Sequence, residues 1–254
     1  MNRRVIVALD APRAKGALGI VDRIGPACGF YKVGLELFTA AGPSVVASLR
    51  ERGKHVFLDG KLHDIPSQVA GAVARAGELG VKFLTVHAAG GRGMLAAAAA
   101  AAPASMTLLG VTVLTSLDAA GLEAVFGRRV DDAGAEADRL ARMVRDAGLG
   151  GVVCSAAEAA RVRETVGPGR RIVTPGIRPA GGPVHDQRRV RTAGEAFAAG
   201  ATHIVVGRPV TGAPDPAAAF AGIAAEADRA RRDVDRPVIA PLHSLIPPGN
   251  PDPA

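Results

Sequence analysis

Val5-Ile6-Val7-Ala8-Leu9-Asp10-Ala11-Pro12 is the stretch on which the fold turns. Five apolar residues, two of them valine and one isoleucine, read as a strand buried on both faces. The turn after that strand separates two architectures. An open, doubly wound sheet places a glycine-rich turn after its first strand, where a pyrophosphate can lie against a helix N-terminus. Asp10-Ala11-Pro12 is not such a turn, so the strand reads as the first stave of a closed barrel. Met1 to Arg4 ahead of it, with Asp10 closing the apolar run, is too short for a secretory leader.

Moving outward along the chain, short apolar runs recur between longer segments of helical period. The strands expected are Val5 to Leu9, Phe30 to Gly34, His55 to Leu58, Phe83 to His87, Thr107 to Leu114, Gly151 to Cys154, Arg171 to Thr174 and His203 to Val206. Pro43 to Arg52, Ser67 to Leu79 and Ala133 to Ala147 are among the helices between them. Eight buried strands alternating with helices predict an α/β chain folded as a single-domain (β/α)8 TIM barrel. That domain is expected to cover residues 1–233. Residues 234–254 hold six prolines and are expected to form a partly disordered tail with no assigned role. Ala96 to Ala102 reads as a helix stopped by Pro103. Gly176 to Gln187, broken by Gly181, Gly182, Pro179 and Pro183, reads as a lid after strand seven.

Composition narrows the function classes. Of the 254 residues, 48% are hydrophobic, enough for a large core, but with seven Phe, one Tyr and no Trp that core must be aliphatic. The formal charge of +7 favours anionic partners, phosphorylated metabolites included. The basic residues are scattered and nowhere alternate with aromatics, so nucleic-acid binding is not expected. Cys28 and Cys154, the only cysteines, have neither metal-ligand nor disulfide-framework spacing. No apolar run reaches membrane-spanning length. The chain is expected to be soluble and cytoplasmic, with no membrane partner.

The chemistry concentrates in Phe57-Leu58-Asp59-Gly60-Lys61-Leu62-His63-Asp64-Ile65-Pro66. Residues two apart on a strand share a face, so Asp59 and Lys61 should point the same way at the C-terminal end of strand three, where barrel enzymes hold their sites. A lysine between Asp59 and Asp64 should stay protonated, suited to donate a proton and stabilise an anion. Lys32 ends the neighbouring strand and Asp10 the first, so Lys32, Asp59, Lys61 and Asp64 are expected to form an alternating row of charge. Across the mouth, Gly207-Arg208-Pro209 and Thr174-Pro175-Gly176-Ile177-Arg178 come after strands eight and seven, where this fold usually grips phosphate. Gln187, at the far end of the lid, can donate to a phosphate and a heterocycle together.

Val7-Ala8-Leu9-Asp10, Lys32-Val33-Gly34, Asp59-x-Lys61-x-x-Asp64-Ile65-Pro66, Val111 to Ser116, Thr174 to Arg178 and Gly207-Arg208-Pro209 occur in order. Together, from about residue 5 to residue 220, they closely resemble bacterial orotidine 5'-phosphate decarboxylases. The resemblance implies a carboxy-lyase that converts orotidine 5'-phosphate to UMP, the last step of de novo pyrimidine nucleotide synthesis, with no cofactor and no metal. It implies that Asp10 and Lys32 hold ribose hydroxyls, that Asp59 lies against the substrate carboxylate, and that Lys61 protonates C6. It implies a homodimer with shared sites, Asp64 and Ile65 reaching into the partner's. Thr115, with Ser116 beside it, would contact the pyrimidine. Arg178 would order the lid and phosphate end, Gln187 would bridge phosphate and base, and Gly207 with Arg208 would hold the phosphate. Two positions depart from the family: Gly60 replaces a bulky apolar residue, and Gln68 replaces a threonine expected to reach ribose across the dimer.

Three rival readings remain beside it. Keto-sugar phosphate decarboxylases and hexulose phosphate synthases share the Asp-x-Lys-x-x-Asp strand but carry glutamate where Lys32 stands, and a lysine there would repel their magnesium ion. A catalytically silent phosphate sensor would not need the charge row. A nucleic-acid binder would show steep salt dependence.

Overall fold

Eight short strands close on themselves. They are β1 Val5–Ala8, β2 Phe30–Val33, β3 His55–Leu62, β4 Phe83–His87, β5 Thr107–Val111, β6 Gly151–Val153, β7 Arg171–Thr174 and β8 His203–Val206. Each pairs in parallel with the next, and β8 returns to β1 with Val5 opposite Ile204 and Val7 opposite Val206. The computed structural model describes residues 1–179 and 191–234. Most of the expected lid, with Gln187, and the tail beyond Val234 lie outside the described residues.

The period of two along each strand sorts side chains into two cores. Val5, Val7 and Leu9 face outward and pack with Val21, Val45, Val73 and the other buried faces of the surrounding helices. Ile6 and Ala8 face inward, where they meet Phe30, Phe57, Phe83, Leu109, Val173 and Val205 in a separate lumen cluster. Four of the rings meet edge-on or tilted: Phe30 to Phe83 at 4.9 Å between centroids, Phe57 to Phe83 at 5.9 Å, and Phe83 to His203 at 5.0 Å. The lumen is therefore plugged at mid-height, leaving one concave mouth at each end of the barrel.

Helices fill the crossovers. Pro43–Glu51, Pro66–Glu78, Gly91–Ala101 and Ala133–Asp146 run where the sequence predicts them, the third ending just before Pro103. Asp132 caps the N-terminus of Ala133–Asp146 by accepting from the backbone N–H groups of Gly134 and Ala135. The last helix, Pro216–Val234, reaches the expected domain end near residue 233. Among the described residues no helix is long and apolar enough to cross a membrane. Cys28 and Cys154 are buried free thiols.

Three strands end one residue early, at Ala8, Val33 and Val153, and two differ by more. β5 stops at Val111 rather than Leu114, because its partner β6 stops at Val153. The Thr112 N–H and hydroxyl both donate to the Val153 carbonyl at 3.0 Å, which ends the ladder and frees residues 113 to 115 to bend over the mouth. β3, in contrast, runs four residues past Leu58. Leu58 pairs with Leu84 and Leu62 with Val86, so four steps of β3 span two of β4. The surplus is a bulge, and it carries Gly60 and Lys61.

Candidate active site

The C-terminal mouth encloses about 460 Å³. Asp10, Lys32, Asp59, Lys61, Thr115, Arg178, Gly207 and Arg208 line it, in agreement with the sequence motifs. Alternation brings three of them there: Asp10 lies two residues past Ala8, Lys32 two past Phe30, and Asp59 two past Phe57, each continuing an inward row.

Lys61 arrives by another route. Its φ of 46° makes it the one described non-glycine residue in the left-handed region, a conformation that costs roughly 1–2 kcal/mol. Regular alternation therefore gives the right neighbour for the wrong reason, since the bulge rather than the pleat turns Lys61 toward Asp59. A hydrogen-bond chain holds the distortion. The Lys61 N–H donates to Thr85 Oγ1 at 2.9 Å, and that hydroxyl donates to Asp59 Oδ1 at 2.9 Å. Thr85 is fully buried on β4. No motif in the sequence singles it out, although counting by twos from Phe83 sets both Thr85 and His87 inside the barrel.

The charge row is Asp10–Lys32–Asp59–Lys61. Lys61 Nζ donates to Asp59 Oδ2 at 2.8 Å, while Lys32 Nζ lies 3.0 Å from Asp10 Oδ1 and 3.7 Å from Asp59 Oδ2. The sequence suggests one lysine between two carboxylates; the fold gives one carboxylate between two ammoniums. The Asp59 and Lys32 side chains are each only 12% exposed, so this is no solvated surface pair. Burial acts to raise the Asp59 carboxyl, but Lys61, Lys32 and the two hydrogen bonds outweigh it and hold it below the usual carboxylate range. Beside the row, burial pushes the His87 imidazole down, His63 and Lys61 push it further, and Asp59 partly offsets them. Gly34 keeps the row intact: a Cβ there would lie 2.8 Å from Lys32 Nζ. At Gly60 a Cβ would meet only Leu62 at 3.6 Å, so a larger residue would also fit.

Across the mouth, Arg178 is buried, with Nη1 donating to the Ile177 carbonyl at 2.9 Å. Its Nε is buried with no hydrogen-bond partner, and among the described residues no carboxylate pairs with it. Burial and the neighbouring Arg208 both lower its pKa. Arg178 and Arg208 both line the cavity, and two guanidiniums there suit the binding of an anion.

Asp64, Ile65 and Gln68 are exposed and take no part in the mouth of their own chain. Asp64 Oδ1 accepts from the Ile65 N–H at 2.6 Å, and the Ile65 side chain is exposed. Asp64 thus does not extend the charge row within one chain. Ser116 sits beside Thr115 and does not line the cavity.

The model of the orotidine 5'-phosphate decarboxylase / HUMPS family matches residues 3–223. The orotidine 5'-phosphate decarboxylase of Moorella thermoacetica is 50% identical over 234 residues, covering 88% of this chain and 91% of that one. The protein of the same name from Anaeromyxobacter sp. (strain K) is 51% identical over 224 residues, covering 88% and 98%. Among solved structures, the crystal structure of orotidine 5'-phosphate decarboxylase from Lactobacillus acidophilus superposes with a TM-score of 0.78 at 38% identity, covering 89% of this chain and all of that one.

Proposed function

The chain belongs to the orotidine 5'-phosphate decarboxylase / HUMPS family and is a carboxy-lyase of pyrimidine biosynthesis, and on that footing we propose how its residues convert orotidine 5'-phosphate to UMP. The observation that carries the reading is the Asp59 carboxylate held between the Lys61 and Lys32 ammoniums at the inner end of the cavity. Arg178, Gly207 and Arg208 take the phosphate, and Gln187, outside the described residues, is assigned to bridge phosphate and base. Thr115 faces the pyrimidine with Ser116 beside it, and Asp10 with Lys32 holds the ribose hydroxyls. The substrate carboxylate then lies against Asp59.

The C6–CO2 bond breaks with its electron pair left on C6, and no neighbouring carbonyl takes up that pair by simple conjugation. The Lys61 ammonium is set to stabilise the charge as it develops, which is binding of the transition state over the ground state. It then gives its proton to C6, which completes UMP, and regains one from solvent. The left-handed backbone at Lys61, tied to Thr85, fixes the ammonium before substrate arrives, so little reorganisation accompanies the reaction. Asp59 serves twice: it orients the Lys61 ammonium by accepting its hydrogen bond and opposes the carboxylate that is leaving. Phosphate binding far from C6 supplies energy to close the lid.

The HUMPS side of the family is disfavoured by Lys32. Its ammonium occupies the space between Asp10 and Asp59, where a magnesium ion would need free carboxylate oxygen. The working unit is a homodimer, in which Asp64, Ile65 and Gln68 enter the partner's site. Their exposure outside their own mouth supports this. Residues 1–233 form the catalytic domain, residues 234–254 have no assigned role, and the reaction is cytoplasmic, where phosphorylated nucleotides are retained.

Ultraviolet absorbance of the purified chain with orotidine 5'-phosphate, with and without EDTA, tests the reading. Loss of substrate absorbance unaffected by EDTA is expected. No reaction, or turnover of a keto-sugar phosphate that depends on magnesium, would overturn it.

A further inference from the structure

The barrel has a second mouth, and the same alternation builds it. Counting back by twos from the active-site row, Ala8 leads through Ile6 to Arg4, Asp59 through Phe57 to His55, Val173 to Arg171, and Val205 to His203. These four residues line a cavity of about 760 Å³ at the N-terminal ends of the strands. Arg3, Lys82 and Arg163 join them from the flanks. Five cations thus surround one concavity, and among the described residues no Asp or Glu lines it.

Among the described residues no carboxylate pairs with any of these cations. Lys82 Nζ donates to the Ser105 carbonyl at 3.1 Å, and Arg163 is spent on the Gly167, Arg170 and Gly200 carbonyls, contacts that orient a cation without cancelling it. The side chains of Arg3, Arg4 and Arg171 have no hydrogen bond or ion pair among the described residues. The field reaches the two histidines. Burial lowers the His55 pKa, with Arg3 and Lys82 adding to it, and burial with Arg171 pushes His203 down to about 4. The His203 imidazole is therefore neutral near pH 7, and both histidines add rings to the floor. That floor is the aromatic plug of Phe30 and Phe83, which separates this cavity from the catalytic one.

We propose that the N-terminal mouth is a second binding site, for an oligophosphate chain, with Arg4 and Arg171 as its principal contacts and Arg3 and Lys82 at its rim. A concavity with walls of low dielectric and one sign of charge concentrates counter-ions, and guanidiniums match phosphate oxygens in pairs. A single phosphate brings roughly −2 and leaves most of the positive charge unmatched. A run of linked phosphates meets more of it at once. The chain can come from free polyphosphate or from a nucleoside triphosphate.

Calorimetric titration of the full chain with inorganic tripolyphosphate, and in parallel with UTP, tests the site. The variants are Arg4→Ser/Arg171→Ser at the N-terminal mouth and Arg208→Ala at the other. Tripolyphosphate is expected to bind a site that persists in Arg208→Ala and weakens at least about tenfold in the double variant, in proportion to the two lost contacts. Unchanged circular dichroism and melting would show that the double variant is folded. Equal affinity for UTP assigns the site to the phosphate chain alone, and tighter UTP binding adds the base against the ring floor; both support the proposal. No binding, or binding lost in Arg208→Ala but kept in the double variant, overturns it.

Discussion

Replacing Thr85 by valine removes one hydroxyl from the interior and nothing of comparable size. In the native chain that oxygen accepts from the Lys61 N–H and donates to Asp59 Oδ1, both at 2.9 Å. Losing it strands a backbone N–H, at about 1–3 kcal/mol, and removes a hydrogen bond to a carboxylate, at about 1.5–3 kcal/mol. Water from the cavity can reach Asp59 and recover part of the second loss. The first has a specific consequence, because Lys61 sits in a backbone conformation about 1–2 kcal/mol above its alternatives. Without its acceptor the bulge relaxes and carries the ammonium away from C6. Some 2–3 kcal/mol of that loss should fall on the transition state, a drop of about 30- to 150-fold in kcat. KM should move by less than about threefold, since the phosphate contacts are untouched. Steady-state kinetics on Thr85→Val and Thr85→Ser, each with a urea unfolding curve, would read this. Serine keeps the hydroxyl and should recover most of the rate. A folded Thr85→Val enzyme within twofold of native kcat would refute the positioning role, as would a Thr85→Ser enzyme no better than Thr85→Val.

Lys61→Ala should lose turnover by several orders of magnitude while still binding UMP; near-native turnover would remove Lys61 as proton donor. Gly34→Ala presses a methyl group to 2.8 Å from Lys32 Nζ, and about a tenfold or greater loss of kcat/KM is expected in a chain that melts normally. Lys61→Ala and Asp64→Asn, each inactive alone, should regain part of the activity once their subunits exchange, and silence after demonstrated exchange would count against shared sites. Stability should fall as pH drops from about 6.5 to about 4. In that window the unfolded chain takes up a proton that buried His203 refuses, so the unfolded state gains by up to ~3 kcal/mol. Urea unfolding across that range should be visibly flatter in His203→Phe.

The barrel is readable because its strands are short, apolar and evenly spaced, and Asp10-Ala11-Pro12 is no dinucleotide turn. Strand ends are less so. Val113 and Leu114 continue the apolar pattern of β5, and only the shortness of β6 on the next stave decides that the ladder ends at Val111. Such a limit is set by a neighbour and leaves no trace in the residues it limits. The mouth residues can be read where strand parity holds, as at Asp10, Lys32 and Asp59. Lys61 is placed correctly by a parity that the bulge breaks. Thr85 is small, common in strands and carries no charge, so nothing but its parity with Phe83 marks it. Asp64, Ile65 and Gln68 stand away from their own chain's mouth, and no rule of local sequence says toward what.

The sorting of side chains into two cores has a consequence for how such a chain can change over generations. Outward positions such as Val5, Val7 and Val33 bind the helical shell, whereas inward ones such as Ala8, Asp10, Lys32 and Asp59 face the lumen. No strand residue serves both. Substitutions that alter the chemistry therefore fall on one parity and those that alter folding on the other. New reactions can be tried at either mouth while the helical shell is inherited unaltered.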